Sequence, residues 1–393
     1  MPRTDLAPAV GAAPAGGDRS PQPVLPHYGE DCLDAVVPAL LARHGETPPW
    51  VPAPVRGARQ VVLLVLDGFG WEYLQASAAG VPTLASGTGG PITSVAPSTT
   101  ATALTSLATG TPPAAHGVIG YRMALDVPGA PADGREVMNV LRWRSESGDL
   151  RRRVPADRFQ AIPAFGGRRV PAVTRREFAS TGFSAAHLAG SRMVGWSVPS
   201  TLVVETRRLL REGESFVYVY YDGLDKVAHE YGLGEHYAEE LRTVDRLVAD
   251  LLDTLVPGSA LAVTSDHGQV EVGAAARLPG PELLRGVSML SGEGRFRWLH
   301  VRPGAREDVV AAACELHGEE AWVLAREEIV DAGWFGGPLP PHVEARLGDV
   351  ALVAHAPVAF LDPADTGETR LLARHGSLTP TEMWVPFVAW SAP

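Results

Sequence analysis

Three short runs of apolar residues stand out along the chain. They are 60–66 (QVVLLVL), 216–222 (FVYVYYD) and 260–266 (ALAVTSD). Continuous apolar runs of this length, rich in Val and aromatic residues, are typical of strands that are buried on both faces of a parallel sheet. The pattern therefore predicts three core strands.

Helical patterns lie between and beyond these strands. Residues 235–255 repeat apolar side chains at helical spacing, and residues 71–80, 101–110, 199–212 and 305–317 also predict helices. Strands that alternate with helices are typical of a sheet covered on both faces. The predicted fold class is therefore α/β, with a mostly parallel sheet and helices on both sides.

Composition divides the chain into four expected segments. Residues 1–26 are rich in Pro, Ala and Gly and predict a disordered leader. Residues 27–289 form the first part of the α/β core, and residues 290–365, which mix short strands with one helix, predict an inserted cap. Residues 366–393 return to the core through a last strand. Inside the core, residues 121–175 show weak periodicity and predict irregular structure with a hairpin.

Charge and localisation signals limit the classes of partner. The chain has 34 Lys and Arg against 45 Asp and Glu, a net charge of −11. A long nucleic acid is therefore not expected as a partner, whereas a small anionic substrate remains open if metal ions neutralise it. The leader has no continuous apolar segment, and no run approaches the roughly 18 residues of a membrane span. We expect a cytoplasmic protein that does not bind membranes, with a monomer favoured.

Acidic residues follow each of the three predicted strands. Asp67 ends the first, Asp222 and Asp225 follow the second, and Asp266 ends the third. Ligands of open parallel sheets bind beyond the carboxyl ends of the strands. A single Asp at such a place is usually a turn former or a helix cap. Three such positions, two of them accompanied by His, favour a metal site.

Histidines complete the candidate ligand set. Asp225 and His229 are four residues apart, which puts them side by side on one face of a helical turn. Asp222 and His229 are seven residues apart, a spacing that does not place them within one helical turn. Asp266 is followed by His267 and by a Gly that permits close backbone approach. His375, taken alone, is more typical of a solvated loop. We include it because Asp225 and His229 need a third ligand.

A run of hydroxyl residues, PSTT at 97–100, precedes the predicted helix at 101–110. Its ordinary interpretation is a helix N-cap, for which Ser and Thr are preferred. Its functional interpretation is a nucleophile, since a helix N-terminus attracts phosphate and a nearby metal would lower the pKa of the hydroxyl. Both interpretations can hold within this run.

These residues occur in five blocks whose order resembles the alkaline phosphatase superfamily, and within it the nucleotide pyrophosphatase/phosphodiesterase branch. The blocks are VLLVLDGFG, APSTTATALTSLATGTPPAAHGVIGY, YYDGLDKVAHEYG, AVTSDHG and ARHGSLTPTEMWVP. The resemblance implies an alkaline-phosphatase-like core and Thr100 as the nucleophile. It also implies two metal sites, one formed by Asp67, Asp266, His267 and Thr100 and the other by Asp225, His229 and His375.

The chain departs from this branch beside the nucleophile. Nucleotide pyrophosphatases usually have Phe-Pro-Asn where this chain has Ala101-Thr102-Ala103, and an Asn where it has Tyr121. The nearest resemblance is to the actinobacterial phosphodiesterases that hydrolyse cyclic di-AMP. Phosphonoacetate hydrolases share the metal ligands but hold their substrate with paired lysines, and this chain has a single lysine, Lys226.

The resulting hypothesis is a metal-dependent phosphodiesterase that converts cyclic di-AMP to pApA or AMP through a phosphothreonine intermediate. The mixed carboxylate and imidazole ligands suit two divalent ions, Mn²⁺ or Zn²⁺. Tyr121 and Phe69 are candidates for substrate contact, although core packing is the alternative for either aromatic ring. Two other functions remain open: a phosphonate or phosphomonoester hydrolase of the same superfamily, and a nucleotide-binding sensor without catalysis.

Overall fold

The computed structural model describes residues 21–129 and 134–392. Most of the expected leader, residues 1–20, lies outside the described residues. Its last part, residues 21–26, lies against the folded chain. The indole Nε1 of Trp322 donates to the carbonyl of Pro21 at 2.7 Å, and the amide of Val24 donates to the carbonyl of Leu378 at 2.8 Å.

The strands of the described residues are grouped in five sheets. In chain order they are β1 (Gln60–Leu66), β2 (Thr88–Thr93), β3 (Arg122–Asp126), β4 (Arg135–Asn139), β5 (Arg144–Ser145), β6 (Gly148–Asp149), β7 (Pro171–Arg175), β8 (Arg192–Trp196), β9 (Phe216–Tyr221), β10 (Ser259–Thr264), β11 (Val270–Glu271), β12 (Ala276–Arg277), β13 (Val287–Glu293), β14 (Phe296–Val301), β15 (Ala321–Ala325), β16 (Val350–Ala354), β17 (Ala359–Phe360), β18 (Ala373–Arg374) and β19 (Trp384–Ser391).

The α-helices range from single turns to five turns. In chain order they are α1 (Leu33–Leu41), α2 (Trp71–Ser77), α3 (Pro82–Ala85), α4 (Thr100–Thr109), α5 (Pro113–His116), α6 (Ala156–Phe159), α7 (Gly182–His187), α8 (Pro199–Arg211), α9 (Gly223–Tyr231), α10 (Glu235–Leu252), α11 (Pro281–Arg285), α12 (Arg306–His317), α13 (Arg326–Asp331), α14 (Pro341–Glu344) and α15 (Pro380–Met383). None of the described helices is long and apolar enough to cross a membrane.

The central sheet has seven strands in the order β2-β19-β10-β1-β9-β7-β8. The three predicted core strands are its centre, where β1 pairs in parallel with both β10 and β9. Only β19 runs antiparallel to its neighbours, β10 and β2. The predicted α/β class with a mostly parallel sheet is therefore confirmed.

Burial on both faces explains why these strands are apolar throughout. Along β1, Val61, Leu63 and Val65 point into one hydrophobic cluster, whereas the alternate residues point into the cluster on the opposite face. Helices α1 and α4 supply the first cluster, and α10 supplies the second. The alternation follows from the two-residue repeat of a strand. Both layers fix the strand ends that carry the acidic residues.

Two smaller sheets lie outside this core. The first, β3-β4-β5-β6, is antiparallel and lies within residues 121–175, for which the sequence predicted irregular structure with a hairpin. The second, β13-β14-β16-β15, runs from Val287 to Ala354 and has its own hydrophobic cluster with α12. Most of its residues belong to the segment 290–365, which was expected to form a cap.

Candidate active site

The strand ends bring the acidic residues together. Asp67 directly follows β1, and Asp266 follows the neighbouring β10 after one residue. Both side chains are buried, with 2% and 0% of their surface exposed. Gly268, two residues after Asp266, permits a close backbone approach of another segment, because a Cβ on Gly268 would lie 1.9 Å from the carbonyl oxygen of Thr381.

Helix α9 begins just after β9 and carries the predicted Asp-x-x-x-His pair. The Nε2 atom of His229 lies 3.2 Å from Oδ1 of Asp225. His375, from the loop after β18, approaches the same oxygen with its Nε2 at 3.9 Å. The ligand atoms of these three residues lie within 4.8 Å of one another. They form one group suited to a metal ion.

A second group surrounds His267. Its Nε2 atom lies 3.5 Å from Oδ1 of Asp67 and 3.4 Å from Oδ2 of Asp266. Asp67, Asp225 and His267 also have ligand atoms within 4.8 Å of one another. Asp225 therefore borders both groups, whereas the resemblance assigned it to one metal.

Backbone carbonyls orient all three imidazoles. The Nδ1 atoms of His229, His267 and His375 lie 2.7, 3.1 and 3.1 Å from the carbonyl oxygens of Ala373, Gly268 and Ser98, respectively. A carbonyl only accepts, so each Nδ1 is the protonated nitrogen and each Nε2 keeps a free lone pair. This arrangement is usual around metal-binding histidines. Burial lowers the pKa of His267 and His375, which keeps these rings in the neutral form that binds metal.

Burial and missing partners make the carboxylates of this site costly as charges. Burial raises the pKa of Asp67, Asp225 and Asp266, and the neighbouring acids Asp266 and Asp225 raise that of Asp67 further. Among the described residues, Oδ1 of Asp67 and Oδ2 of Asp266 have no hydrogen-bond partner. Buried carboxylates in close proximity need a counter-charge. Together with neutral imidazoles they fit a divalent cation.

Thr100 lies at the first position of α4 and borders the second group. Its Oγ1 is 3.1 Å from Nε2 of His267, and because that nitrogen is the acceptor, the hydroxyl donates. Thr99 occupies the N-cap position with extended backbone angles, but its side chain makes no capping hydrogen bond. Gly110, the last residue of the predicted helix 101–110, ends the helix in the left-handed conformation. The hydroxyl of Thr100 therefore faces the candidate ligands rather than the helix backbone.

Several supporting residues gave no signal in the sequence. Gln269 donates from Nε2 to Oδ1 of Asp225 at 2.9 Å, and the hydroxyl of Tyr220 donates to Oδ2 of Asp67. Asp222, the rival of Asp225, instead pairs with Arg175 at 2.6 Å and with Lys226 at 2.7 Å. Asp225 thus belongs to both ligand groups, and Asp222 to neither.

A cavity of about 270 Å³ opens over Thr100, His229 and His375. Tyr121, one of the two residues predicted to contact substrate, lines this cavity, and its hydroxyl accepts a hydrogen bond of 2.5 Å from Nδ2 of Asn139. Phe69 does not reach the cavity. Its ring is fully buried in the hydrophobic cluster that also contains the apolar face of α10.

The remaining wall of the cavity comes from segments far from the ligands in sequence. Besides Tyr121 it includes residues of the two outer sheets and of the loop before β18, among them Asn139, Leu141, Arg142, Glu293, Asp365, Glu368 and Arg374. None of these residues was singled out from the sequence.

The fold is of the alkaline-phosphatase type. Residues 61–378 match the family of type I phosphodiesterases and nucleotide pyrophosphatases. Because this match covers most of the chain, the protein belongs to that family and is a phosphodiester hydrolase. The family depends on metal ions, in agreement with the two ligand groups.

Solved structures of remote relatives share the fold. Murine ectonucleotide pyrophosphatase/phosphodiesterase 5 aligns with 18% identity and a TM-score of 0.61, covering 84% of this chain and 88% of its own. An inactive variant of that murine protein in complex with AMP aligns with 16% identity and a TM-score of 0.62, covering 85% and 88%. Human ectonucleotide pyrophosphatase/phosphodiesterase 5 aligns with 15% identity and a TM-score of 0.59, covering 84% of this chain and 88% of its own. No curated protein matches the sequence.

Proposed function

We propose that this protein hydrolyses cyclic di-AMP to pApA or AMP, with Thr100 as the nucleophile and two divalent ions, Mn²⁺ or Zn²⁺, as cofactors. The observation that carries the proposal is the position of the Thr100 hydroxyl. It lies at the N-terminus of a buried helix, 3.1 Å from His267, and opens into the cavity.

The ligand groups supply the cofactor part of the proposal. Asp67, Asp266 and His267 would hold one ion beside Thr100, and Asp225, His229 and His375 would hold the other. Divalent ions at these places would lower the pKa of the threonine hydroxyl and offset the charge of the phosphate. Asp225 borders both groups.

The chain contributes the nucleophile and part of the anion site. Oγ1 of Thr100 gives up its proton and attacks phosphorus, the bond from phosphorus to the leaving ribose oxygen breaks, and that oxygen takes up a proton, so the step releases no net proton. A water molecule then attacks the phosphothreonine and breaks the bond from phosphorus to Oγ1, which restores the hydroxyl. The first backbone N–H groups of α4 have no acceptor within the helix and favour the phosphate oxygens.

Four features support a cyclic dinucleotide as the substrate. The sequence blocks resemble those of phosphodiesterases that act on cyclic di-AMP. Helix α4 contains no Arg that would bind the additional charge of a monoester dianion. The cavity extends well beyond Thr100 to the outer sheets. The murine relative of similar fold has been solved with AMP, which makes an adenine nucleotide a reasonable ligand for this fold.

A substrate panel tests the proposal. The purified protein is incubated with Mn²⁺ and with cyclic di-AMP, cyclic di-GMP, bis-p-nitrophenyl phosphate, p-nitrophenyl phosphate or phosphonoacetate. We expect turnover of cyclic di-AMP and of the bis ester, with kcat/KM for the bis ester above that for the monoester. Efficient hydrolysis of the monoester or phosphonoacetate, without turnover of cyclic di-AMP, would instead favour another activity of this superfamily.

A further inference from the structure

Arg142 occupies a defined place at the outer end of the cavity. It lies in the turn between β4 and β5, its side chain is exposed, and it lines the same cavity as Thr100. The next residue, Trp143, is fully buried and has a φ of 53°, which is rare for a residue with a bulky side chain. Its indole donates to the carbonyl of Val154 at 2.8 Å. The buried Trp143 anchors the turn.

A second set of hydrogen bonds orients the turn towards the cavity. Asn139 accepts from the backbone amide of Arg142 at 3.0 Å through Oδ1. Its Nδ2 donates to the hydroxyl of Tyr121, which also lines the cavity. One amide side chain thus connects the backbone of Arg142 to the cavity wall. The start of the Arg142 side chain is therefore held in place, while its guanidinium stays exposed.

Charge pairing separates Arg142 from the other cation of the cavity. Arg374 is buried and lies 3.4 Å from Oε1 of Glu368. Glu368 also pairs with Arg297 at 2.7 Å, and Asp365 lies 3.8 Å from Arg122. Within residues 21–129 and 134–392, the guanidinium of Arg142 makes no hydrogen bond or ion pair. It is the cavity cation left to bind an anion.

We infer that Arg142 binds the second, non-reacting phosphate of a substrate that carries two phosphodiester groups. The inference rests on the proposed function, in which one phosphate of a cyclic dinucleotide meets Thr100. The other phosphate then lies across the ring, away from the ligands and towards the outer wall of the cavity. A guanidinium suits it, because its planar fork binds two phosphate oxygens at once. Arg142 is thus a specificity-determining residue for substrates with two phosphates.

The test compares a substrate with two phosphates with a substrate that has one. Initial rates with cyclic di-AMP and with bis-p-nitrophenyl phosphate are measured for the wild-type protein and for Arg142→Gln, Arg142→Lys and Arg144→Gln. Arg144 is exposed, lies two residues away and does not line the cavity, so it is the matched control. Thermal melts verify that each variant is folded.

For Arg142→Gln we expect KM for cyclic di-AMP to rise by about tenfold or more, as for the loss of a charge-assisted hydrogen bond, with a smaller change in kcat. The same variant should change kcat/KM for the bis ester by less than about threefold, a free-energy change well under that of the lost contact. Arg142→Lys should restore part of the affinity, because it keeps the charge without the fork. Arg144→Gln should behave as the wild type.

Two outcomes would overturn the inference, and they are distinguishable. If the wild-type protein hydrolyses cyclic di-AMP but Arg142→Gln affects both substrates equally, or neither, the proposed function stands and the role of Arg142 falls. If the wild-type protein hydrolyses the bis ester but not cyclic di-AMP, the proposed substrate is wrong and the role of Arg142 falls with it.

Discussion

The two ends of the cavity are built in different ways. The inner end consists of strand and helix termini of the central sheet around Thr100, and the buried Asp67, Asp266 and His267 lie next to it. The outer end consists of the two smaller sheets, with Tyr121 and Arg142 from one and Glu293 from the other. The inner end can therefore keep one chemistry while substitutions in the outer sheets change what the cavity binds.

The two ends of the cavity also differ in how their buried carboxylates are paired. At the inner end, buried carboxylate oxygens of Asp67 and Asp266 have no partner among the described residues. At the outer end, Asp365 and Glu368 are paired with arginines, and Glu293, whose Oε1 also has no partner among the described residues, belongs to neither ligand group. Unpaired buried carboxylates that are grouped with imidazoles indicate a site completed by a cation, whereas paired ones stabilise a wall. The following experiments test this contrast.

Removal of metal should have the largest effect, because both ligand groups belong to the inner end. Dialysis against a chelator is expected to abolish turnover of the bis ester, and Mn²⁺ or Zn²⁺ should restore it. Removal of the metal should also lower the melting temperature, because a ligand that binds only the folded state stabilises that state. Full activity in protein that is verifiably free of metal would contradict the model of the inner end.

Thr100→Ala should come next. Loss of the nucleophile is expected to lower kcat by about three orders of magnitude or more, by comparison with other covalent catalysts, while the fold persists. Thr99→Ala is the matched control. Thr99 makes no capping hydrogen bond, so we expect an active protein that loses less than about 1 kcal/mol of stability. Kinetics and thermal melts of both variants decide the assignment, and the reverse pattern would make Thr99 the nucleophile.

Asp266→Asn should separate turnover from binding. The new amide keeps the oxygen that accepts from the backbone amides of Gly68 and His267, both at 3.1 Å, but removes a charge from the ligand group beside Thr100. We expect kcat to fall by at least about 100-fold, as when another electrostatic contributor is removed. Calorimetry should show that Kd for cyclic di-AMP rises by less than about tenfold, or about 1.4 kcal/mol.

Asp250→Asn, a change at an exposed position of α10, is the control for Asp266→Asn. It should alter neither turnover nor binding. If turnover and binding vanish together in folded Asp266→Asn, then the inner end does not divide its roles in this way.

The smallest expected effect concerns the outer end and its dependence on pH. Burial raises the pKa of Glu293 to about 8, well above that of the unfolded chain. Because the pKa of this carboxyl is higher in the folded than in the unfolded protein, it favours the folded state fully at a pH below the unfolded pKa. This contribution to stability is lost as the pH rises through about 8. In the wild-type protein the backbone amide of Tyr121 donates to Oε2 of Glu293 at 3.1 Å. Glu293→Gln removes the titrating group but keeps an oxygen that can accept this hydrogen bond.

Between about pH 7 and about pH 9, wild-type stability should therefore fall relative to Glu293→Gln by on the order of 1 kcal/mol. Denaturant unfolding at both pH values measures the difference. Glu282→Gln, at an exposed position of α11, should show no such change. A difference between wild type and Glu293→Gln that is independent of pH would show that this carboxyl does not titrate in this range.

The sequence by itself determined the inner end in considerable detail. Apolar runs buried on both faces identified β1, β9 and β10, and the acids that follow them lie together because adjacent parallel strands end at the same edge of a sheet. Helical spacing selected Asp225 rather than Asp222 for the ligand group. In each case a local period or a chain position fixes the place of the side chain, so no knowledge of distant contacts is needed.

Only the tertiary structure decided the outer end. Tyr121, Arg142 and Glu293 line one cavity because two separate sheets pack beside the strand ends. The weak periodicity of 121–175 predicted a hairpin but not the four-stranded sheet that this segment contributes. The same reason explains Phe69, which follows a core strand as Asp67 does but whose ring turns into the core. The local pattern of apolar residues determines where a strand ends. A cavity wall depends instead on packing between segments that are far apart in sequence, and local periodicity does not predict which segments pack together.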